Sequence, residues 1–293
     1  MAQVVESISD AFREYLKEKT PKSWEREEVS KYRTRIYEVL NSEYGLLSFF
    51  QSGSFSNGTG VTGRSDVDYI ARLPFDRRNQ SSNSNLEAIK TVLKRELWEA
   101  SNIWVSRPTV SIDFRGVITQ YEITPAFYER GDAGDNAVLL IPGPNGTWRE
   151  SAPKAHLKYV RESDTRHWGN VKGLARLLKS WKYENDVSVS SFYLEMRSAE
   201  YGNKRDSLVY VADLPRILKE MIDHEVRAMN DPTGLVNRIY ACSSESARSS
   251  TLRAMKSALP HLQTARQAWL DDDDYTASTE LRSVFGSQFP YVL

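Results

Sequence analysis

The sequence predicts an α+β fold in two lobes, a mixed sheet with N-terminal helices followed by a helical half. Two observations carry this. Between about residues 46 and 141, short β-branched and aromatic runs surround a single amphipathic helix. Beyond the turn Pro142 to Gly146 the apolar spacing becomes helical. The length agrees: 293 residues suffice for two ordinary domains, and the boundary is expected at 148/149.

In chain order, residues 3–19 read as a helix with Ile8, Phe12, Tyr15 and Leu16 on one stripe. Thr20-Pro21 places a hydroxyl at a cap and proline in a first turn, so a second helix is expected to run to about Leu40. Its stripe is Val29, Tyr32, Ile36, Val39 and Leu40, and Asn41 to Gly45 ends it. "LLSFFQ" (46–51) and "DVDYIARL" (66–73) read as strands, and "NLEAIKTVLKRELWEA" (85–100) as a helix. The runs 103–105, 109–114, 117–124 and 137–141 are further strands, with Pro125 closing the third. Helices are expected near 170–184, 190–200, 213–229, 248–270 and 275–285. Asp271 to Asp274 reads as a solvated helix start, because four adjacent carboxylates cannot converge on one ion.

Composition narrows the function. Apolar residues make up 40% and charged residues 27%, ordinary globular usage. Lys plus Arg equals Asp plus Glu at 39 each, which argues against coating nucleic acid through overall charge. Cys242 is the single cysteine, so a disulfide framework and a multi-cysteine zinc site are excluded. His156, His167, His224 and His261 show no ligand spacing. The N-terminus is charged, without a signal-peptide apolar stretch, and no apolar run could span a bilayer. A cytoplasmic protein without membrane contact is expected.

The stretch that carries chemistry is "QSGSFSNGTGVTGRSDVDY", residues 51–69. On a strand Asp66 and Asp68 share a face, since side chains alternate with period two. Two carboxylates so placed repel unless a cation lies between them, and Mg²⁺ is the usual hard ion. Two exposed strand-end aspartates beside a turn would show the same pattern. Gly53 lets backbone approach phosphate closely and Ser54 offers a hydroxyl. No Gly-Lys-Ser/Thr follows, and no helix is expected at Gly53, so this is not a Walker loop.

"GSFSNGTGVTGRSDVDYIARL" resembles the nucleotidyltransferase motif of the polymerase-β superfamily. More narrowly, it resembles the bacterial cyclic-oligonucleotide synthases (the CD-NTase group) related to cyclic GMP-AMP synthase and 2′-5′-oligoadenylate synthetase. "YEITPAF", "WRESAPKAH" and "GLARLLKSWKYENDVSVSSFYLEM" continue the likeness, in family order, to about residue 196. The resemblance implies a two-lobed polymerase-β-like fold and two Mg²⁺ ions, with Mn²⁺ as an alternative. It places Gly53 and Ser54 on the triphosphate, and Asp66, Asp68 and Glu122 on the metals. Glu122 stands where the family usually has aspartate. Lys179 and Ser191, with Ser190 as a second choice, match residues holding the distal phosphates. Asn170 falls on the helix lining the donor-base pocket; a plain helix cap is the other reading.

Residues 149–182 hold nine cations, Lys179 among them, against three acids, which suits a triphosphate or a solvated helix face. Trp168 and Trp181 read as core or as a base-stacking surface. Asp113 is the rival third acid, but it shares a strand face with Thr109 and Ser111, where a solvated polar face would account for it. The implied product is a cyclic di- or trinucleotide second messenger for antiphage signalling, sensed by a separate effector protein. A linear or small-molecule nucleotidyltransferase and a non-catalytic scaffold of the same fold are the alternatives. A duplex-DNA switch through a zinc insertion is not expected with one cysteine. A C-terminal Leu293 is not expected to support ubiquitin-like tethering.

Overall fold

The computed structural model describes residues 4–64, 66–132 and 134–293, without the side chains of Arg26, Glu28 and Val29. Val29 of the expected helical stripe therefore lies outside the described side chains. The chain divides into two compact units. One comprises Pro21–Tyr159 and Thr233–Asn237; the other comprises Met1–Thr20, Val160–Pro232 and Arg238–Leu293. The expected division at 148/149 is thereby corrected: the described residues up to and including Thr20 belong with the helical unit.

The reason lies in the first helix. Strand β1 (Val4–Val5) precedes α1 (Ile8–Lys19), so the helix starts later than the periodicity suggested. The Ser7 hydroxyl caps it, accepting from the Asp10 amide at 3.2 Å. Ile8, Ala11, Phe12 and Tyr15 are buried. The Phe12 ring lies 5.2 Å from Phe289 and 5.6 Å from Tyr210, so this stripe completes the core of the helical unit. Thr20 closes α1, its hydroxyl donating to the Leu16 carbonyl at 2.7 Å, rather than opening the next helix.

In the sheet unit, the expected second helix is two: α2 (Ser23–Lys31) and α3 (Arg33–Tyr44). They meet at Tyr32, whose ring stacks on Phe114 with centroids 3.7 Å apart. Gly45, at φ 65°, ends α3 and donates to the Asn41 carbonyl. Then follow β2 (Ser48–Ser52), α4 (Gly53–Asn57), β3 (Val67–Arg72), α5 (Ser82–Glu96) and β4 (Ala100–Ser106). After these come β5 (Thr109–Phe114), β6 (Tyr121–Arg130), β7 (Val138–Pro142) and β8 (Trp148–Ser151). The strand order is β2-β3-β6-β5-β4, with β7 and β8 continuing from the far half of β6. Among the described residues, β3 and β6 are the one pair in this sheet that runs parallel.

Pro125 does not close its strand, as the sequence suggested. It is buried in the middle of β6, opposite Ala71, and the strand runs on to Arg130. One face of the sheet carries Val67, Tyr69, Val110, Ile112, Tyr121 and Ile123 into a core with Ile36 and Leu40 of α3 and Leu86 and Ile89 of α5. Those two helices cover that face, and the alternation of β3 and β6 turns Asp68 and Glu122 to the other.

Helix α6 (Pro153–Arg166) carries the chain into the helical unit. There α7 (Asn170–Glu184), α8 (Ser191–Asn203), α9 (Tyr210–Asp223), β9 (Met229–Asn230) and β10 (Arg238–Ile239) precede α10 (Glu245–Leu270) and α11 (Asp274–Phe285). Strand β11 (Tyr291–Val292) pairs in parallel with β1. Asp273 caps α11 by accepting from the Thr276 amide at 2.9 Å, the helix-start role expected of that acidic run. Trp181 is core, whereas Trp168 sits at φ 55° with 94% of its surface exposed. No described helix is long and apolar enough to cross a membrane.

Candidate active site

Strand pairing assembles the acids. Asp68 of β3 stands opposite Glu122 of β6, and Glu122 in turn opposite Ser111 of β5. On the other side Ser52, the last residue of β2, stands opposite Asp68. Ser52, Asp68, Glu122 and Ser111 therefore form one row across four strands. Asp66 comes immediately before β3.

Gly53 begins a short helix where no helix was expected. Ser52 is its N-terminal cap residue, and Gly58, left-handed at φ 70°, ends it. At Gly53 itself φ is 65°, and an added Cβ would overlap the Asp68 carboxylate. Glycine is thus required twice over: for the left-handed backbone and for direct packing of main chain against the acid. The end of α4 and the loop after it are anchored inside the protein, with Asn57, Thr59 and Val61 buried.

The electrostatics mark the row. Burial, then the charge of Asp66, raises the Glu122 carboxyl to about 7, partly offset by the Ser111 hydroxyl, which donates to Oε1 at 3.5 Å. Asp66 is exposed at the surface, yet its carboxyl is raised, first by desolvation and then by the charge of Asp113. Two acids raised in this way, with Asp68 beside Glu122 in the row, favour a cation. Their oxygens are the hard donors Mg²⁺ takes, and in kind they fit it. As the side chains stand, no three His, Cys, Asp or Glu groups among the described residues converge closely enough to hold an ion.

The comparison with Asp113 comes out in two parts. Glu122 is the cross-strand neighbour of Asp68, whereas Asp113 is opposite Asn102 and accepts from the Gln120 amide at 3.4 Å. The expected solvated face around Asp113 is corrected, however: Thr109 and Ser111 are buried. Asp113 lies within electrostatic reach of Asp66, at the edge of the row.

In the helical unit the sequence-derived residues divide. Lys179 is 1% exposed and donates to Glu195 Oε2 at 2.7 Å, so its reading as a phosphate-facing cation is corrected to a buried ion pair. Residues 173–181 of α7 are all buried, so this stretch of the helix presents no solvated face and Lys179 is enclosed with its neighbours. The residue missed is Lys182. It donates to Ser191 Oγ at 2.9 Å, with the Tyr183 hydroxyl 3.3 Å from the same oxygen. Desolvation, then the Lys179 charge, lowers the Lys182 ammonium below its usual value, as expected of a cation short of counter-charge. Ser190 spends its hydroxyl as the α8 cap, accepting from the Tyr193 amide at 3.3 Å. Asn170 is not a cap, since Gly169 holds that position; its side-chain oxygen accepts from the Tyr210 hydroxyl at 3.1 Å. Other cations of the expected wall are engaged locally, Lys172 with Asp164 at 3.3 Å and Lys158 with Asp135 at 3.5 Å.

A mixed sheet with a Gly-Ser turn beside an acid row, joined to a separate helical unit, is the polymerase-β-like nucleotidyltransferase architecture. Residues 7–164 match the Second Messenger Oligonucleotide or Dinucleotide Synthetase domain, and the chain belongs to that family. It is 24% identical over 137 residues to a protein of Bacillus cereus (strain VD146) named "Probable cyclic nucleotide synthase". That match spans 46% of this chain and 41% of the relative, so less than half of the Bacillus protein is represented. A cyclic AMP-AMP-AMP synthase of Acinetobacter sp. (strain ATCC 27244 / 9458) is 26% identical over 264 residues, 82% of this chain and 72% of that one. Among solved structures, that of E. coli MS115-1 CdnC with ATP aligns with a TM-score of 0.77 at 18% identity, covering 96% of this chain and 98% of the other.

Proposed function

We propose that this protein condenses nucleoside triphosphates into a cyclic di- or trinucleotide, in a Mg²⁺-dependent nucleotidyl transfer. The observation that carries the reading is the cross-strand row of Asp68 and Glu122 with Gly53 packed on Asp68. Asp66, Asp68 and Glu122 would hold the Mg²⁺ pair, whose chemistry is to activate a ribose hydroxyl and to neutralise the departing pyrophosphate. The protein's own contributions are positional. Gly53 lets the main chain approach a phosphate, and Ser54 presents its hydroxyl beside it. Ser111 holds the Glu122 carboxyl by a hydrogen bond, and Lys182 with Ser191 offers a cation and a hydroxyl to distal phosphate oxygens.

The family assignment supports a second-messenger product, and we place the enzyme in the cytoplasm, in antiphage signalling through a separate effector protein. The test is pyrophosphate release from mixed nucleoside triphosphates with Mg²⁺. Turnover is expected from the native protein and none from Asp66→Asn with Asp68→Asn. Equal release from both would withdraw the acid row as the site.

A further inference from the structure

We infer that Glu25 is a positioning residue for nucleotidyl transfer, a buried carboxylate that latches the loop leading into Asp66. This rests on the reading of the acid row given above.

Glu25 lies in the first turn of α2, far from the acids in sequence, yet it is only 4% exposed. Both its oxygens are engaged. Oε2 accepts from the Lys22 amide at 2.6 Å and from the Thr62 hydroxyl, and Oε1 accepts from the Gly63 amide at 3.1 Å. These donors, with the nearby Lys22 charge, outweigh burial and hold the carboxyl below its usual value, so it is ionised near neutrality. A capping-box acid needs only the Lys22 amide. The two further bonds go to the loop. Gly63 is left-handed at φ 64°, the conformation that aims its amide at Glu25. Three residues later the chain reaches Asp66. Glu25, Thr62, Gly63 and Asp66 line one cavity of about 380 Å³, together with Gln120, two positions before Glu122. One carboxylate thus joins α2 to Thr62 and Gly63, which line the same cavity as Asp66.

The chemistry of the latch makes it separable from the fold. Glutamine at this position has the same shape but one acceptor oxygen. Its amide must face either the Lys22 or the Gly63 N–H, donor against donor, so one loop or cap bond is lost whichever way it turns. Thr62→Val removes the hydroxyl bond alone, and Thr62→Ser keeps it.

The test uses the full chain as Glu25→Gln, Thr62→Val and Thr62→Ser, with two readouts besides turnover. Hydrogen exchange reports the loop, and Mn²⁺ titration followed by electron paramagnetic resonance reports the acid row. In Glu25→Gln the backbone amide left without its acceptor, Gly63 or Lys22, should exchange about tenfold faster, the equivalent of one charge-assisted hydrogen bond. Half-saturation by Mn²⁺ should rise several-fold, with kcat reduced and nucleotide KM little changed. Thr62→Val should show a smaller change in the same direction, and Thr62→Ser should return all three readouts to native values. Should Glu25→Gln fail to fold, Thr62→Val against Thr62→Ser decides the matter alone. Faster loop exchange with unchanged Mn²⁺ binding and unchanged kcat would overturn the proposal and leave Glu25 a helix cap. If the native protein transfers no nucleotide, the exchange and Mn²⁺ arms still report on the latch, so the two failures are distinguishable.

Discussion

Neutralising Glu122 should stabilise the metal-free protein while abolishing its activity. The carboxyl is raised from 4.5 to about 7 by burial and by Asp66, which makes its ionised form unfavourable in the folded state. The sign follows from linkage. The folded protein holds this proton more tightly than the unfolded chain, so the penalty is absent below about pH 4.5, grows as pH rises, and is complete above about pH 7. At about 1.4 kcal/mol per tenfold the displacement corresponds to roughly 3 kcal/mol, and solvent screening of the half-buried group brings the expected effect to about 1–3 kcal/mol. Glu122→Gln keeps the Ser111 bond, because its amide oxygen still accepts. Urea denaturation in EDTA should therefore find the variant level with native protein near pH 4.5 and more stable by that amount near pH 8. Nucleotide incorporation should be lost in Glu122→Gln, largely kept in Glu122→Asp, and kept in Asp113→Asn. Equal stability of native and Glu122→Gln protein at both pH values would refute the placement of Glu122 in a buried site beside Asp66.

Gly53→Ala should abolish incorporation, because its Cβ would displace the Asp68 carboxylate and φ is left-handed; a variant with native turnover would separate Gly53 from the site. Lys182→Ala should raise nucleotide KM about tenfold or more without changing the melting temperature, one lost charge-assisted bond to phosphate. Lys179→Ala should instead cost about 3–5 kcal/mol of stability by breaking the buried ion pair with Glu195, measured by denaturation of the same pair of variants. The opposite assignment of the two effects would restore Lys179 as the phosphate contact.

Strands and acids were legible because a half-buried strand writes its geometry in alternation. Tyr121 and Ile123 flank Glu122, and Val67 and Tyr69 flank Asp68, so the side each acid faces follows from its neighbours. What alternation does not reveal is the pairing partner, and it is the parallel register of β3 with β6 that makes Glu122 the neighbour of Asp68. Helix α4 was hidden, because Gly-Ser-Phe-Ser-Asn has little intrinsic helix preference and is held by Gly58 after it and the buried Asn57 within it. Tyr32 interrupts a periodic pattern that is otherwise continuous, and its stacking on Phe114 is a tertiary contact that no local signal reports. Lys179 was misread by charge, because nothing local shows that α7 is buried all round at 173–181 or that Glu195 of α8 is the partner. Glu25 stands at the third position of a helix, where a capping acid is ordinary, and nothing in its neighbourhood announces Thr62 and Gly63 as partners.

The most direct measurement of the central claim is incubation of the protein with all four nucleoside triphosphates and Mg²⁺, followed by phosphatase and mass spectrometry of what remains. A cyclic oligonucleotide has no terminal phosphate, so a phosphatase-resistant product is expected whose mass is that of two or three nucleoside monophosphates less one water for each phosphodiester. A product that phosphatase shortens to a linear oligonucleotide with free ends would contradict cyclisation, and the absence of any product would contradict nucleotidyl transfer.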